Sequence, residues 1–146
     1  MDRLFIIIFC GFFGMISESV FASESIGYVK TVSGDAFVIS DGKSINAVSG
    51  TSIQLGSVIK TAANGSLGMT LKDNTLLSFG PSTEFTIEDY LFAPGKGSLK
   101  LGCRIAGGTL NYVSGAIAKL KPDAVTLRTP TGTIGVRGTH FVLKVN

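Results

Sequence analysis

The lone histidine, His140, and the two cysteines, Cys10 and Cys103, are the side chains with the most chemistry to offer. A catalytic base needs a nucleophile or a carboxylate in reach. His140 sits in an alternating run that puts it with Val142 and Lys144, on the face opposite Phe141. No Gly-x-Ser-x-Gly elbow and no pair of carboxylates at telling spacing accompanies it, so a hydrolase would rest on His140 alone. The expectation is a strand residue on the surface and a protein that is not an enzyme. Cys103 lies between Gly102 and Arg104. The guanidinium could lower its thiol pKa, but a small half-buried residue is the simpler reading. One histidine and one cysteine in the folded part do not make a zinc site, and no metal or cofactor is expected.

The remaining candidates bind rather than react. Arg137 has the fork geometry to hold a carboxylate or phosphate; the plainer role is to satisfy carbonyls at a corner formed by Gly138, with Thr139 capping other backbone groups. Tyr28, Tyr90 and Tyr112 are the only tyrosines, and aromatic platforms hold sugars, so a glycan- or peptidoglycan-binding module is the alternative function. Charge is segregated along the chain. Residues 23–95 hold four lysines and seven acids, a net of −3, whereas residues 96–146 hold eight bases against Asp123, a net of +7. Lys119, Lys121 and Arg128 therefore mark a basic face for an acidic partner, the bland counterpart being a solvated surface that deters edge pairing. Nucleic acid is not an expected partner, since no aromatic-basic interleaving supports it.

Any such face must be carried by strands. Of 146 residues only 16% are charged and 19 are glycine, which excludes a disordered chain, a coiled coil and, without a Gly-x-y period, collagen. The first 22 residues read as a secretory signal peptide: Arg3, an apolar run from Leu4 to Ile16, and Val20-Phe21-Ala22 ahead of the cleavage point. Thirteen helical residues span about 20 Å against a hydrocarbon core of about 30 Å, so an uncleaved anchor is the lesser reading. Cleavage after Ala22 discards Cys10 and leaves residues 23–146 as one domain, without a disulfide and without a membrane span.

From Ser23 onward no convincing amphipathic helix stands out. Phe37 and Ile39 alternate into an Asp41-Gly42 hairpin turn. Leu67, Met69 and Leu71 share a face before Asp73-Asn74 turns into Leu77 and Phe79, and Gly80-Pro81-Ser82 separates these from Phe85 and Ile87. Ala93-Pro94-Gly95-Lys96-Gly97 is the clearest loop. Strand starts recur about every 8–12 residues, the spacing of sandwiches, barrels and β-solenoids. Near the end, Val125 and Leu127 run to Thr129-Pro130. The apolar set then sits at Ile134 and Val136, but after Gly138 at Phe141, Leu143 and Val145. A one-residue slip sends side chains to the wrong face, so Arg137-Gly138-Thr139 is expected to be a bulge or bend between two strands.

The stretch Thr129-Pro130-Thr131-Gly132-Thr133-Ile134-Gly135-Val136-Arg137-Gly138-Thr139-His140-Phe141 resembles the signature of the FecR domain family, T-P-x-x-x-I-x-V-R-G-T-x-F. Gly27-Tyr28-Val29, Gly50, Gly56, Val58-Ile59, Thr61, the Leu67–Phe85 hairpin region and Gly107-Gly108-Thr109-Leu110 resemble its earlier segments, so the likeness runs from about Ile26 to Val145. Two positions depart: Ser57 stands where the family has an aspartate, and Asn74 where a glycine is usual. FecR regulators carry a cytoplasmic anti-sigma segment and a membrane helix ahead of the domain, whereas a signal peptide is expected here. The resemblance thus implies the fold, an all-β single domain of many short strands, solenoid-like or sandwich-like, and a periplasmic location. It also implies a non-enzymatic binding module in envelope sensing or signalling, with an envelope protein as partner.

Overall fold

Hydrophobic alternation and positive-φ turns set most of the element boundaries in the computed structural model, which describes residues 24–146. The signal-peptide expectation lies outside the described residues. Strands β1 (Ser25–Ser33), β2 (Ala36–Ser40), β3 (Lys43–Asn46), β4 (Ser52–Gln54), β5 (Val58–Thr61), β6 (Ser66–Leu71) and β7 (Leu76–Phe79) come first. They are followed by β8 (Glu84–Ala93), β9 (Ser98–Val113), a short helix α1 (Ala116–Leu120), β10 (Val125–Thr129), β11 (Gly132–Gly135) and β12 (His140–Val145). The expected hairpins form. Asp41, at φ 51°, opens the β2–β3 turn, and Asn74, at φ 67°, takes the left-handed position that glycine usually fills between β6 and β7. Pro94–Lys96 is a single 3-10 turn inside the expected loop.

The all-β expectation holds, with one short helix, α1, among the described residues. Its five residues are too few to show a helical period, and too few to be stable without tertiary contacts. Ile117, fully buried, attaches it to the core.

The strands form one curled sheet with two wings sharing β9. In one wing the order is β3-β2-β5-β8-β9, continued by β10 and β11; in the other it is β4-β1-β6-β7-β9, continued by β12. All pairings are antiparallel except β9 with β10. Sixteen residues long, β9 serves both wings because it bends midway: residues 98–107 pair with β8 and residues 108–113 with β7 and β12. Gly108 sits at that bend with φ 96°, and a Cβ there would collide with the Cα and Oγ1 of Thr83.

The inner faces of both wings build one core, with Val38, Ile59, Phe85 and Ile87 on one side and Val29, Met69, Leu71 and Leu77 on the other, all below 2% exposed. Phe79 and Phe85 join the wings with ring centroids 4.7 Å apart, an arrangement worth about 0.5–1.5 kcal/mol beyond simple burial.

Candidate functional site

The chain reverses between β11 and β12, and the two strands part there instead of pairing. Among the described residues β11 pairs only with β10, and β12 only with β9. Gly138 makes the turn at φ 117°, a conformation that side chains oppose, and its carbonyl accepts a 2.6 Å hydrogen bond from the Ser114 hydroxyl. The Ser114 amide bonds the Thr139 carbonyl at 2.9 Å. The expected bend is present. It arises as a crossing from one wing to the other, so each wing receives its apolar residues in its own register.

The parted strands leave an apolar cleft. One cavity of about 220 Å³ is lined by Leu127, Ile134, Val136, Arg137, Phe141 and Leu143. An adjoining hollow of about 340 Å³ is lined by Thr129, Pro130, Ile134, Leu143, Lys144 and Val145, among others. Ile134 is 44% exposed in its wall, whereas Val136, at 6%, anchors the strand to the core. Phe141 stacks on Tyr112 with centroids 4.8 Å apart. Thr129 turns its hydroxyl to the Gly132 carbonyl, 3.0 Å away, and so closes the β10–β11 turn in which Pro130 sits exposed. Beneath the floor, Tyr112 and Cys103 share a void of about 10 Å³. Burial pushes the ionisation of both upward. The Tyr112 hydroxyl makes no hydrogen bond: Ser114, near enough to pull its pKa slightly down, is bonded to the Gly138 carbonyl instead.

Several single-residue expectations change. Arg137 does not satisfy carbonyls at the bend. Its guanidinium extends into solvent, 83% exposed, and meets Asp123 at 3.2 Å. At the bend Thr139 contributes its carbonyl, and the capping hydroxyl is that of Ser114. Cys103 is buried rather than half-buried; burial first, then the Glu88 and Asp73 charges, push its thiol up, away from reactivity, while Arg104 is exposed. His140 is exposed, as its alternation requires, and its Nε2 lies 2.6 Å from the Asn111 amide oxygen. The three tyrosines do not gather. Tyr28 is exposed on β1, Tyr112 lies under the cleft, and Tyr90 bonds Asp73. A sugar platform built from them therefore loses its basis.

The basic residues divide in the same way. Arg128 is held by Glu88 of β8 at 3.1 Å. Lys119 and Lys121, at the end of α1, pair with no acid among the described residues. Arg137 and Lys144 line the cleft, and Lys119 lies in a separate hollow at the bend, beside Val136, Gly138 and Thr139. Lys144 was missed as a site residue; its even-numbered place next to Leu143 was the available signal.

Asp73 was also missed. It is 1% exposed in the β6–β7 turn. Its carboxylate accepts hydrogen bonds from the Thr75 hydroxyl (2.7 Å) and amide (3.3 Å), the Ile117 amide (3.1 Å) and the Tyr90 hydroxyl (3.1 Å). Its carbonyl accepts the Ala116 amide at 2.7 Å. The carboxylate thereby fixes α1, with Lys119, against both wings. The Asp-x-Thr spacing, which lets the carboxylate reach the amide two residues on, was the local sign.

The domain is all-β, and its two wings share one strand and part at a bend that carries the Thr129–Phe141 signature. A family model described as FecR protein matches residues 57–146, more than half of the chain, and the protein belongs to that family. The match begins one residue before β5, yet β1 to β4 are continuous with the same sheet. No curated protein and no solved structure matches the chain. Membership places the protein with signalling and sensing modules that face the periplasm.

Proposed function

We propose that this protein is an exported, non-enzymatic module of the cell envelope that works by binding another protein through the β11–β12 cleft. Residues 1–22 act as its signal peptide and residues 23–146 as its single domain. The observation that supports the reading is the placement of the signature. Thr129, Pro130, Ile134, Val136, Arg137, Gly138, Thr139 and Phe141 build the turn, the walls and the bend of one open apolar cleft. Exposed apolar surface with a polar rim is the usual mark of an interaction site. Lys119, Lys121 and Arg137 add positive charge at one end, suited to an acidic surface.

The test is recovery of partners from envelope extracts on immobilised protein, comparing the parent with Ile134→Glu and with the pair Lys119→Glu and Lys121→Glu. A partner recovered by the parent and lost with Ile134→Glu supports the cleft. Equal recovery by all three proteins would set the reading aside.

A further inference from the structure

Each wall of the cleft ends in a strand edge. In an antiparallel ladder, alternate residues direct their main-chain groups toward the partner strand and the others away from it. The Ser114 amide bonds the Thr139 carbonyl, so in this register Thr139, Phe141, Leu143 and Val145 face β9 with their main-chain groups. The amides and carbonyls of His140, Val142 and Lys144 therefore point outward along the free edge of β12. By the same reasoning the Val136–Val125 bond turns the main-chain groups of Thr133 and Gly135 outward from β11. Proteins usually blunt such edges with proline, a bulge, very short strands or charged side chains, and of these β12 has a single lysine, Lys144. β12 has six residues, no proline and an unbroken register.

Apolar side chains lie beside this template: Phe141 and Leu143 half-buried, Ile134 exposed. The charge around it is mostly positive, although Glu88 of β8 matches Arg128. Residues 96–146 hold eight bases and one acid. That acid, Asp123, is 78% exposed and held only by Arg137, itself 83% exposed, in a contact that an incoming carboxylate could replace at little cost. A second copy of the chain would bring the same basic half to the edge, with no carboxylate on its β12 to meet Lys144.

From this edge, its floor and its charge, we infer that β12 takes an extended acidic segment of a partner protein as one more strand of its wing. Alternate apolar side chains of the segment fill the cleft over Ile134, Phe141 and Leu143, and its carboxylates meet Lys144 and Arg137 at the rim. The inference rests on the binding reading above and names the chemistry of the partner.

The probe is a synthetic peptide of about eight residues alternating glutamate and valine, titrated into the full chain by calorimetry. Saturable binding is expected, weakening as salt is raised. N-methylation of alternate peptide amides should reduce affinity about tenfold or more in one of the two possible patterns and much less in the other, because only one set faces β12. Val142→Pro removes an outward amide without touching the β9 ladder and should have a similar effect. Lys144→Glu should shift preference toward a peptide alternating lysine and valine.

Failure of the glutamate–valine peptide to bind overturns the inference. So does binding that neither N-methylation pattern weakens. Loss of that binding to competition by a fatty acid, with both N-methylated peptides as good as the parent, would assign the cleft to an amphiphile. The methylated peptides leave the protein unaltered, so the result does not depend on how well Val142→Pro folds. If partner recovery depends on Ile134 while the peptide fails, protein binding at the cleft stands and strand addition falls.

Discussion

Asp73 and Ile134 stand on opposite terms with solvent. The first is an ionisable side chain at 1% exposure, the second an aliphatic one at 44%. Around Asp73 the wings are tied together by polar groups that all have partners: Tyr90 of β8 reaches the β6–β7 turn, and α1 hangs from the same carboxylate. A second tie lies at the other end of β7, where the Thr61 hydroxyl bonds the Gly80 carbonyl at 2.7 Å and receives the Thr83 amide at 2.9 Å. At Ile134 the wings part, and apolar groups are left with no cover. Burying a polar group costs free energy unless it is hydrogen-bonded, and a contiguous exposed apolar patch marks a surface where contacts can be made. The contrast separates the part of the molecule that holds the fold from the part that the proposed binding would use.

The comparison can be broken most directly at the polar tie. Asp73→Ala leaves four buried donors without their acceptor and should cost about 3 kcal/mol or more, read as a lower urea midpoint at unchanged slope. A loss below about 1 kcal/mol would mean the tie is ornamental. Next comes Gly108→Ala, which forces a Cβ onto Thr83 at a positive φ and should cost about 2 kcal/mol.

A smaller effect is expected of Tyr90→Phe, about 1 kcal/mol for the lost hydrogen bond to Asp73. It also has a pH signature. Burial, first, and the neighbouring Asp73 charge raise the ionisation of Tyr90, and burial raises those of Tyr112 and Cys103. The folded chain keeps protons that the unfolded chain releases, so stability is full below about pH 8.5 and falls as the pH rises past about 10, where unfolded tyrosines ionise. Thermal melts from pH 7 to 11 should show a shallower alkaline decline for Tyr90→Phe than for the parent. The smallest change belongs to the cleft. Ile134→Ser should alter stability by no more than about 0.5 kcal/mol while removing partner binding. If it unfolds the protein as readily as Asp73→Ala does, the separation between structural and binding regions fails.

Legibility followed the range of the interactions. The β2–β3 and β6–β7 hairpins, the Gly80-Pro81-Ser82 break and the burial alternation of β12 could be read from neighbouring residues, because turn dihedrals and period-2 side chains are local properties. The slip at Gly138 was legible as a bend, since Ile134 and Val136 change parity with Phe141 and Leu143. That the two strands belong to different wings was not legible, because the pairing of β12 with β9 joins residues about thirty positions apart. Arg137 was misread for a related reason: whether a guanidinium turns inward to carbonyls or outward to Asp123 depends on a segment placed by α1, and a five-residue helix has no period to detect.

By itself, the sequence determined the class of the protein. Strand alternation, turn chemistry and the Thr129–Phe141 signature specify an all-β FecR domain, and the uneven charge marks its basic half. Only the tertiary structure decided which of those bases act together and where. It assigned Arg128 to Glu88, set Arg137 and Lys144 in the lining of the cleft and Lys119 in a hollow at the bend, and buried Asp73 at the joint between the wings. The physical reason is that alternation tells which face a side chain takes, whereas strand order and the curl of the sheet tell what that face meets.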